Sequence, residues 1–463
     1  MNIYDVAIIG SGAAGLTVAV GMARLGKKVL LVEKHKVGGD CTNVGCVPSK
    51  TLIHLSQDLG SSTASEILAQ VRAHRDALEQ KERRWLEQMK GVTLVFGQAA
   101  FVDSQILAIR LVDQPEHLVR AKRIVIASGA RARMPKLPGL PPERYLTNEN
   151  LFDLEDLPRH LAIVGAGIVG TEMAFAFRRL GCRVSLVGAV LPRHEPEVGA
   201  AIERSLDTCG VARYPSARGV GYQSQSESLI VEGGEVPEIG GVDKVLVAVG
   251  RRPNLDLGLE AVGVPFDAQG IHTNAVGHTG CARIYAIGDV VARSTTTHSA
   301  NHQGRRLVKH LVAPFFPLGK EPHYPSAVFC RPEVAQVGPT LATLRQDISS
   351  ELIMTVRHDL KDTDRGYTSF LQEGFVLMHA LRLTGKLLSA TVVAPGAGEM
   401  IPLLTHAVNG GPSLYRISDQ VFPYPTLSEA IRKAADSFVF ETLANPRREV
   451  ATYARHRLKA VLR

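Results

Sequence analysis

Val6-Ala7-Ile8-Ile9-Gly10-Ser11-Gly12-Ala13-Ala14-Gly15 is the stretch that decides the fold. Four apolar residues read as a buried strand, and an Ala/Leu-rich helical pattern follows the glycines. A second strand, Lys28-Val29-Leu30-Leu31-Val32-Glu33, places an acid 18 residues past Gly15. A lone Gly-x-Gly-x-x-Gly is a weak signal. Between a strand and a helix, with an acid at this distance, it describes a dinucleotide-binding βαβ unit. Gly10, Gly12 and Gly15, with Ala13 and Ala14 between them, let the backbone approach a pyrophosphate. The helix N-terminus receives its charge, and Glu33 accepts hydrogen bonds from an adenosine ribose.

The unit recurs. His160-Leu161-Ala162-Ile163-Val164 leads into Gly165-Ala166-Gly167-Ile168-Val169-Gly170, a helix, and Arg183-Val184-Ser185-Leu186-Val187. The chain therefore carries two dinucleotide folds. Eighteen residues past Gly170 stands Gly188, where the first copy has Glu33. The second site thus lacks the carboxylate that holds a free 2′-hydroxyl and repels a 2′-phosphate. Arg193 and His194 follow and could meet a phosphate, which favours NADPH over NADH.

Between and beyond the copies the pattern is mixed. Residues 61–90 read as one long polar helix with an apolar stripe (Ile67, Val71, Leu78, Trp85, Met89) suited to packing. Strands are expected near 92–102, 106–112 and 123–130, the last running into Ser128 and Gly129. A connector with Pro135, Pro138, Pro141 and Pro142 reads as a boundary. Two further strand–turn segments, Val245 to Asn254 and Ile284 to Asp289, precede a helix over 299–312. From Tyr324 strands alternate with helices, which suggests another domain. At 463 residues, two to four domains are expected. No run approaches the ~18 apolar residues of a membrane span. The N-terminus enters a strand at once, without a signal-peptide layout. A soluble, cytoplasmic protein is therefore expected, with no nucleic acid as partner: the net charge of +8 forms no dominant basic block.

Gly38-Gly39-Asp40-Cys41-Thr42-Asn43-Val44-Gly45-Cys46-Val47-Pro48-Ser49-Lys50 is the chemical candidate. The apolar spacing after Cys41 places the pair at a loop-to-helix junction, where a helix N-terminus lowers a thiol pKa. Spacing alone leaves a structural disulfide, half a zinc site and a redox pair open. Cys182, Cys209, Cys281 and Cys330 are scattered and read as small core or surface residues.

Taken together, GSGAAG with Glu33, GGDCTNVGCVPSK, GAGIVG, VAVGRRPN, YAIGDV and YPTLSE resemble the flavin-dependent pyridine nucleotide–disulfide oxidoreductases. Glutathione reductase, lipoamide dehydrogenase and mercuric reductase belong to that family. The resemblance covers essentially the whole chain. It implies an α/β protein with two Rossmann-like dinucleotide-binding domains, the NAD(P) domain inserted in the FAD domain, and a C-terminal α+β dimerisation domain. The layout expected is FAD domain 1–152 and 273–323, NAD(P) domain 153–272, interface domain 324–445 and a basic tail 446–463. The resemblance also implies a homodimer that completes its active site across the interface. It places Gly10, Gly12, Gly15, Glu33, Gly39, Ser128, Gly129 and Asp289 at FAD, with Asp289 on the ribityl chain. Gly165, Gly167, Gly170 and Arg251 fall to NADPH or NADH. Cys46 becomes the thiolate that faces the flavin and Cys41 the exposed interchange thiol. Lys50 and Glu172 match a pair beside flavin and nicotinamide.

Two positions depart from the family. Tyr424, in Phe422-Pro423-Tyr424-Pro425-Thr426-Leu427-Ser428-Glu429, stands where the disulfide reductases carry the histidine that forms a dyad with the later glutamate. Tyrosine titrates near ~10 and is a poor base at neutral pH. His298 replaces a proline close to the expected flavin and could supply the missing proton transfer. Mercuric reductase also carries the tyrosine, but no cysteine follows Cys330 here, so its C-terminal cysteine pair is lacking. The resulting expectation is an NAD(P)H oxidoreductase that passes electrons through FAD to Cys41–Cys46 and on to a small disulfide. The alternatives are a soft metal ion as acceptor, and a partner-binding flavoprotein with residual diaphorase activity. The tail (Arg447, Arg448, Arg455, Arg457, Lys459, Arg463) reads as a solvated basic helix, with an acidic partner or a membrane surface as the lesser alternative.

Overall fold

Strand β1 (Val6–Ile9) is buried at every residue, as is β2 (Val29–Glu33). In the computed structural model they pair in parallel, Ala7 opposite Leu30 and Ile9 opposite Val32. The sheet runs Ile284–Ala286, Ile124–Ile126, β1, β2, Val92–Phe96, all parallel. Such a sheet is covered on both faces, which is why its strands are continuous apolar runs and do not alternate. Helix α1 (Ala13–Arg24) lies against the sheet with Val18, Ala19 and Met22 fully buried. Each large apolar side chain so buried stabilises by about 1.5–3 kcal/mol before chain entropy is charged against it.

The structure describes residues 3–111, 115–291 and 296–461. Two bodies are distinguished: Met1–Gly165 with Ala176–Ser185 and Ala217–Glu321, and Ala166–Phe175 with Leu186–Ser216 and Pro322–Arg463.

In the first body, α2 (Gly39–Asn43) and α3 (Cys46–Leu55) follow β2. The long polar helix is α4 (Ala64–Glu87), opened by a capping box between Thr63 and Glu66. Its apolar stripe needs one correction. Trp85 is 45% exposed and Leu86 is buried instead. Leu86 stands eleven residues, three helical turns, after the buried Arg75, so the inward face passes through it. The strand expected at 106–112 spans Ile106–Arg110, and residue 112 lies outside the described residues. The second nucleotide unit enters on His160–Val164, parallel to Lys244–Val247, and its helix is α5 (Ile168–Arg179). The helix expected at 299–312 is α6 (Thr297–Val312) and packs on α1. It begins two residues early because Thr296 caps it, accepting from the Ser299 N–H.

In the second body an antiparallel sheet runs Ser326–Val328, Glu333–Val337, Leu387–Ala394, Phe375–Leu381, Ile353–Asp359. Helices α7 (Ala397–Val408) and α8 (Glu429–Ala444) pack on it, with Phe438 fully buried edge-on to Tyr415. Glu195 is buried in this body. It accepts from the Leu341 N–H at 2.7 Å and lies 3.2 Å from Nε2 of buried His379. Burial works to raise its carboxyl, but the bonds from His379 and Leu341 hold it below the usual range.

Candidate active site

The glycines of the first copy are steric requirements. Gly10 has φ +102°, and a Cβ there would stand 2.3 Å from the Ala127 carbonyl oxygen. A Cβ on Gly15 would stand 1.9 Å from the Gly10 oxygen. The second copy repeats the device: Gly165 has φ +105°, and its Cβ would meet the Ala248 oxygen at 2.5 Å. In each copy the strand leaving the sheet is pressed onto its neighbour, and only glycine permits the turn.

The chain's own groups around α1 fit FAD. Gly12 caps α1 without a side-chain bond, and the first turn holds no acid, so its N–H groups face outward as donors for a diphosphate. Gly288 lies against Ala14 and donates its N–H to Oε1 of Gln303 at 2.8 Å. Nε2 of Gln303 is buried with no partner among the described residues, a second donor toward this corner. Buried Glu33 accepts from Ser11 N and Oγ at 2.8 and 2.7 Å and from His35 N at 2.8 Å. A carboxylate has about four acceptor sites, so one remains for a ribose hydroxyl. Asp289 follows the Ile284–Ala286 strand on the short turn Gly288–Val290. Burial pushes its carboxyl up, Arg251 pulls it down, and Asp40 and Cys46 add to the rise.

Cys41 sits inside α2, and Cys46 is the first residue of α3. Both are free thiols. Cys41 is pushed far above the ordinary thiol range, first by its hydrogen bond to Cys46 and second by burial. That bond and burial favour the thiol form of Cys41, which leaves Cys46 as the candidate thiolate. Two features support charge there: the α3 N-terminus, uncapped by any side chain, and Oγ1 of Thr297, 3.2 Å from the Cys46 sulfur. In this chain Cys46 is exposed and Cys41 half-buried, the reverse of the exposure order expected. Cys41 lies inside the turn of α2, while Cys46 stands at the start of α3 against Thr297. Lys50 lies one turn past Cys46 on the same helical face.

Several expected residues take specific partners. Arg251 does not stay with its own nucleotide unit: its guanidinium bonds Asp40 and the Ala130 carbonyl and lies 3.7 Å from Asp289. Ser128 donates its hydroxyl to Asn254 O, and Asn254 N–H reaches Gly129 O, tying the two Gly-containing turns together. Asp40, Thr297 and Gln303 were missed by the sequence reading. Asp40 had a visible signal, a charge between Gly39 and Cys41; the others had none. In the second body, Gly167 leaves open space and Gly170 is buried in the first turn of α5. Glu172 is 2% exposed and accepts the Phe329 N–H at 2.9 Å. Burial pushes His194 below its usual range, so of the two residues Arg193 is the better cation for a phosphate.

The C-terminal motif carries Tyr424 where the family's dyad has histidine, and Glu429 takes another partner. Tyr424 is 71% exposed, while Glu429 Oε1 bonds Arg432 at 2.8 Å. His298, exposed in the first turn of α6, bonds Thr296 Oγ1 at 3.0 Å and adjoins Thr297. Beside Tyr424, a groove of about 660 Å³ is lined by Arg365, Glu399, Met400, Pro425, Thr426 and Ser428 among others, a volume typical of small-ligand sites.

Comparison with known proteins agrees. Residues 4–304 match the pyridine nucleotide-disulphide oxidoreductase model and residues 324–435 its dimerisation domain. The mercuric reductase of Acidithiobacillus ferrooxidans is 32% identical, over 94% of this chain and 82% of that protein. The dihydrolipoyl dehydrogenase of Thermus scotoductus is 33% identical, over 94% of this chain and 98% of that one. Among solved structures, the Cu(II) complex of the HOCl-induced flavoprotein disulfide reductase RclA from Escherichia coli superposes with a TM-score of 0.85. It is 26% identical and covers 94% of this chain and 99% of its own. The chain therefore belongs to the pyridine nucleotide–disulphide oxidoreductase family: it is an FAD-dependent NAD(P)H oxidoreductase working through a disulfide, with the family's dimerisation domain at its C-terminal end.

Proposed function

We propose that Cys41 and Cys46 are the redox-active disulfide, with Cys41 the thiol that exchanges with the acceptor and Cys46 the stabilised thiolate. The carrying observation is geometric: Cys46 opens α3 at an uncapped N-terminus with Thr297 Oγ1 3.2 Å from its sulfur, while the hydrogen bond to Cys46 and burial push the Cys41 thiol up. Bound FAD, which Gly10, Gly12, Gly15, Glu33 and Asp289 would hold, would supply hydride acceptance from the nicotinamide and two-electron reduction of the disulfide. Opening the Cys41–Cys46 bond yields one thiol and one thiolate. Cys41 then attacks the acceptor disulfide as its proton is withdrawn, Cys46 displaces the reduced acceptor, and the leaving sulfur takes the proton. The sum is NAD(P)H plus a proton plus a disulfide giving NAD(P)⁺ and two thiols. Gly165, Gly167 and Gly170 hold the nicotinamide nucleotide, with NADPH favoured by Gly188 and Arg193. His298 serves proton transfer in place of Tyr424. The four cysteines outside this pair are unpaired, which supports a reducing, cytoplasmic setting.

A soft metal ion is the second reading for the acceptor. Its support is the engagement of Glu429 by Arg432 with Tyr424 left exposed, an arrangement suited to an acceptor that needs less proton delivery. Anaerobic titration with NADPH and NADH tests the first reading. A long-wavelength thiolate–flavin band should appear with NADPH first and vanish in Cys46→Ser. Steady-state assays with disulfides and with Hg(II) and Cu(II) then rank the acceptors. His298→Ala should shift the pH profile of disulfide turnover, and an unchanged profile removes His298 from the mechanism.

A further inference from the structure

Helix α9 (Pro446–Val461) follows α8 after a single residue, Asn445. Residues 446–463 hold six cationic side chains and one carboxylate, so these 18 residues carry five of the chain's net eight positive charges. The orientation of α9 is the reverse of an ordinary surface helix. Its inward face is polar: Glu449, 1% exposed, pairs with Arg382 at 2.7 Å, and His456 lies 3.0 Å from Glu351. Glu449, Thr452, Tyr453 and His456 share that face at helical spacing. Outward remain Val450, Ala451 and Ala454, with Arg447, Arg448 and Arg455. Arg447 and Arg448 make no ion pair among the described residues, and Arg455 bonds only the Ala451 carbonyl of its own helix. Where α8 meets α9 two more large apolar side chains stand out, Phe440 at 70% and Leu443 at 66% exposure.

An ordinary surface helix turns apolar residues inward and charge outward. Here the docked face spends its polar groups on ion pairs, and the free face offers apolar side chains among guanidinium groups. Apolar chains that can enter an acyl boundary, flanked by cations that can meet phosphate headgroups, define an interfacial helix. We propose that the outward face of α9, with Phe440 and Leu443, seats this enzyme peripherally on an anionic lipid surface. Charge complementarity selects this occupant. A second copy would set like charges against each other, and an acidic protein would leave Phe440, Leu443 and Val450 without a comparable role.

The test is co-sedimentation of the FAD-loaded full chain with vesicles of phosphatidylcholine alone or with about 30% phosphatidylglycerol. Binding should rise at least ~tenfold with the anionic lipid and fall as salt goes from about 0.1 to about 0.5 M. Arg447→Glu with Arg448→Glu should return it to the neutral-lipid level. Leu443→Asp should weaken it although Arg447 and Arg448 remain. The thiolate–flavin band, read on each variant, certifies folding. Equal binding to both vesicle types, or anionic binding untouched by these changes, overturns the proposal. So does equal capture by soluble polyglutamate with Leu443→Asp inert, which would assign the face to an acidic protein. Dissociation of the dimer to monomer by Leu443→Asp would assign it to a second copy and likewise overturn the proposal.

Discussion

Replacing Gly12 by Ala should remove FAD and leave the fold intact. Gly12 has φ −72° and ψ −176°, a conformation any L-residue adopts, and its new Cβ would meet only the Gly39 Cα at 3.9 Å. Within the chain the methyl fits. Restricting the unfolded chain stabilises by about 0.4–1 kcal/mol, and alanine's weakness as an N-cap costs a similar amount. The apoprotein should therefore melt within about 3 °C of the parent. The open side of Gly12 is where a diphosphate must approach the first N–H groups of α1. A methyl there pushes it out by about 1 Å and weakens one or two charge-assisted hydrogen bonds, worth about 2–4 kcal/mol together. That is a roughly 30- to 1000-fold loss of FAD affinity. Gly15→Ala is the contrasting variant. Its Cβ would stand 1.9 Å from the Gly10 oxygen, where an ordinary C···O contact needs about 3.3 Å, so α1 must retreat by more than about 1 Å. Val18, Ala19 and Met22 lose packing at a cost of about 1–3 kcal/mol. Thermal melts of flavin-stripped protein and FAD titration by fluorescence quenching separate the two effects. The reasoning fails if Gly12→Ala binds FAD within about threefold of the parent, or if both variants lose the same stability.

Asp289→Asn should exchange binding for stability. Its folded pKa is raised, so the favourable protonated form is present below the usual carboxylate range and lost as pH rises through the raised value. The amide should raise the apoprotein melting temperature at neutral pH and weaken FAD about 10- to 100-fold by loss of a charge-assisted bond, read by the same melts and titration. Glu195 works with the opposite sign. Its folded pKa is depressed, so its stabilisation is full above about pH 4.3 and is lost as pH falls through the folded value. Glu195→Gln should cost about 1–3 kcal/mol at pH 7 by weakening the buried bonds from the Leu341 N–H and to His379, and should flatten the acid limb of melting temperature against pH.

Much of the site was legible because its requirements are local. The Gly-x-Gly-x-x-Gly turns are dictated at Gly15 by the carbonyl oxygen of Gly10, five residues back, and at Gly10 and Gly165 by carbonyl oxygens of Ala127 and Ala248 beside them, and the glycines record such sterics in the sequence. Cys46 at a helix start followed from apolar spacing, as did α4. Trp85 failed because several positions satisfy a 3.6-residue period almost equally, and neighbouring elements select among them. The replacement of the family's dyad histidine by Tyr424 was legible, but the bond between Glu429 and Arg432, one turn along α8, was not.

The sequence by itself determined the two nucleotide folds, the cysteine pair, the acid at Glu33 and the concentration of charge in the tail. Only the tertiary structure decided that Cys41 lies half-buried inside α2 and Cys46 exposed at the start of α3, that Thr297 faces Cys46, that Arg251 reaches back to Asp40, and which face of α9 looks outward. The physical reason is range. Backbone sterics and helix periodicity act over a few residues and leave a pattern. Thr297 and Cys46 lie 251 residues apart, and Arg251 and Asp40 lie 211 apart. Such pairs are set by the packing of whole elements, and no local pattern encodes them.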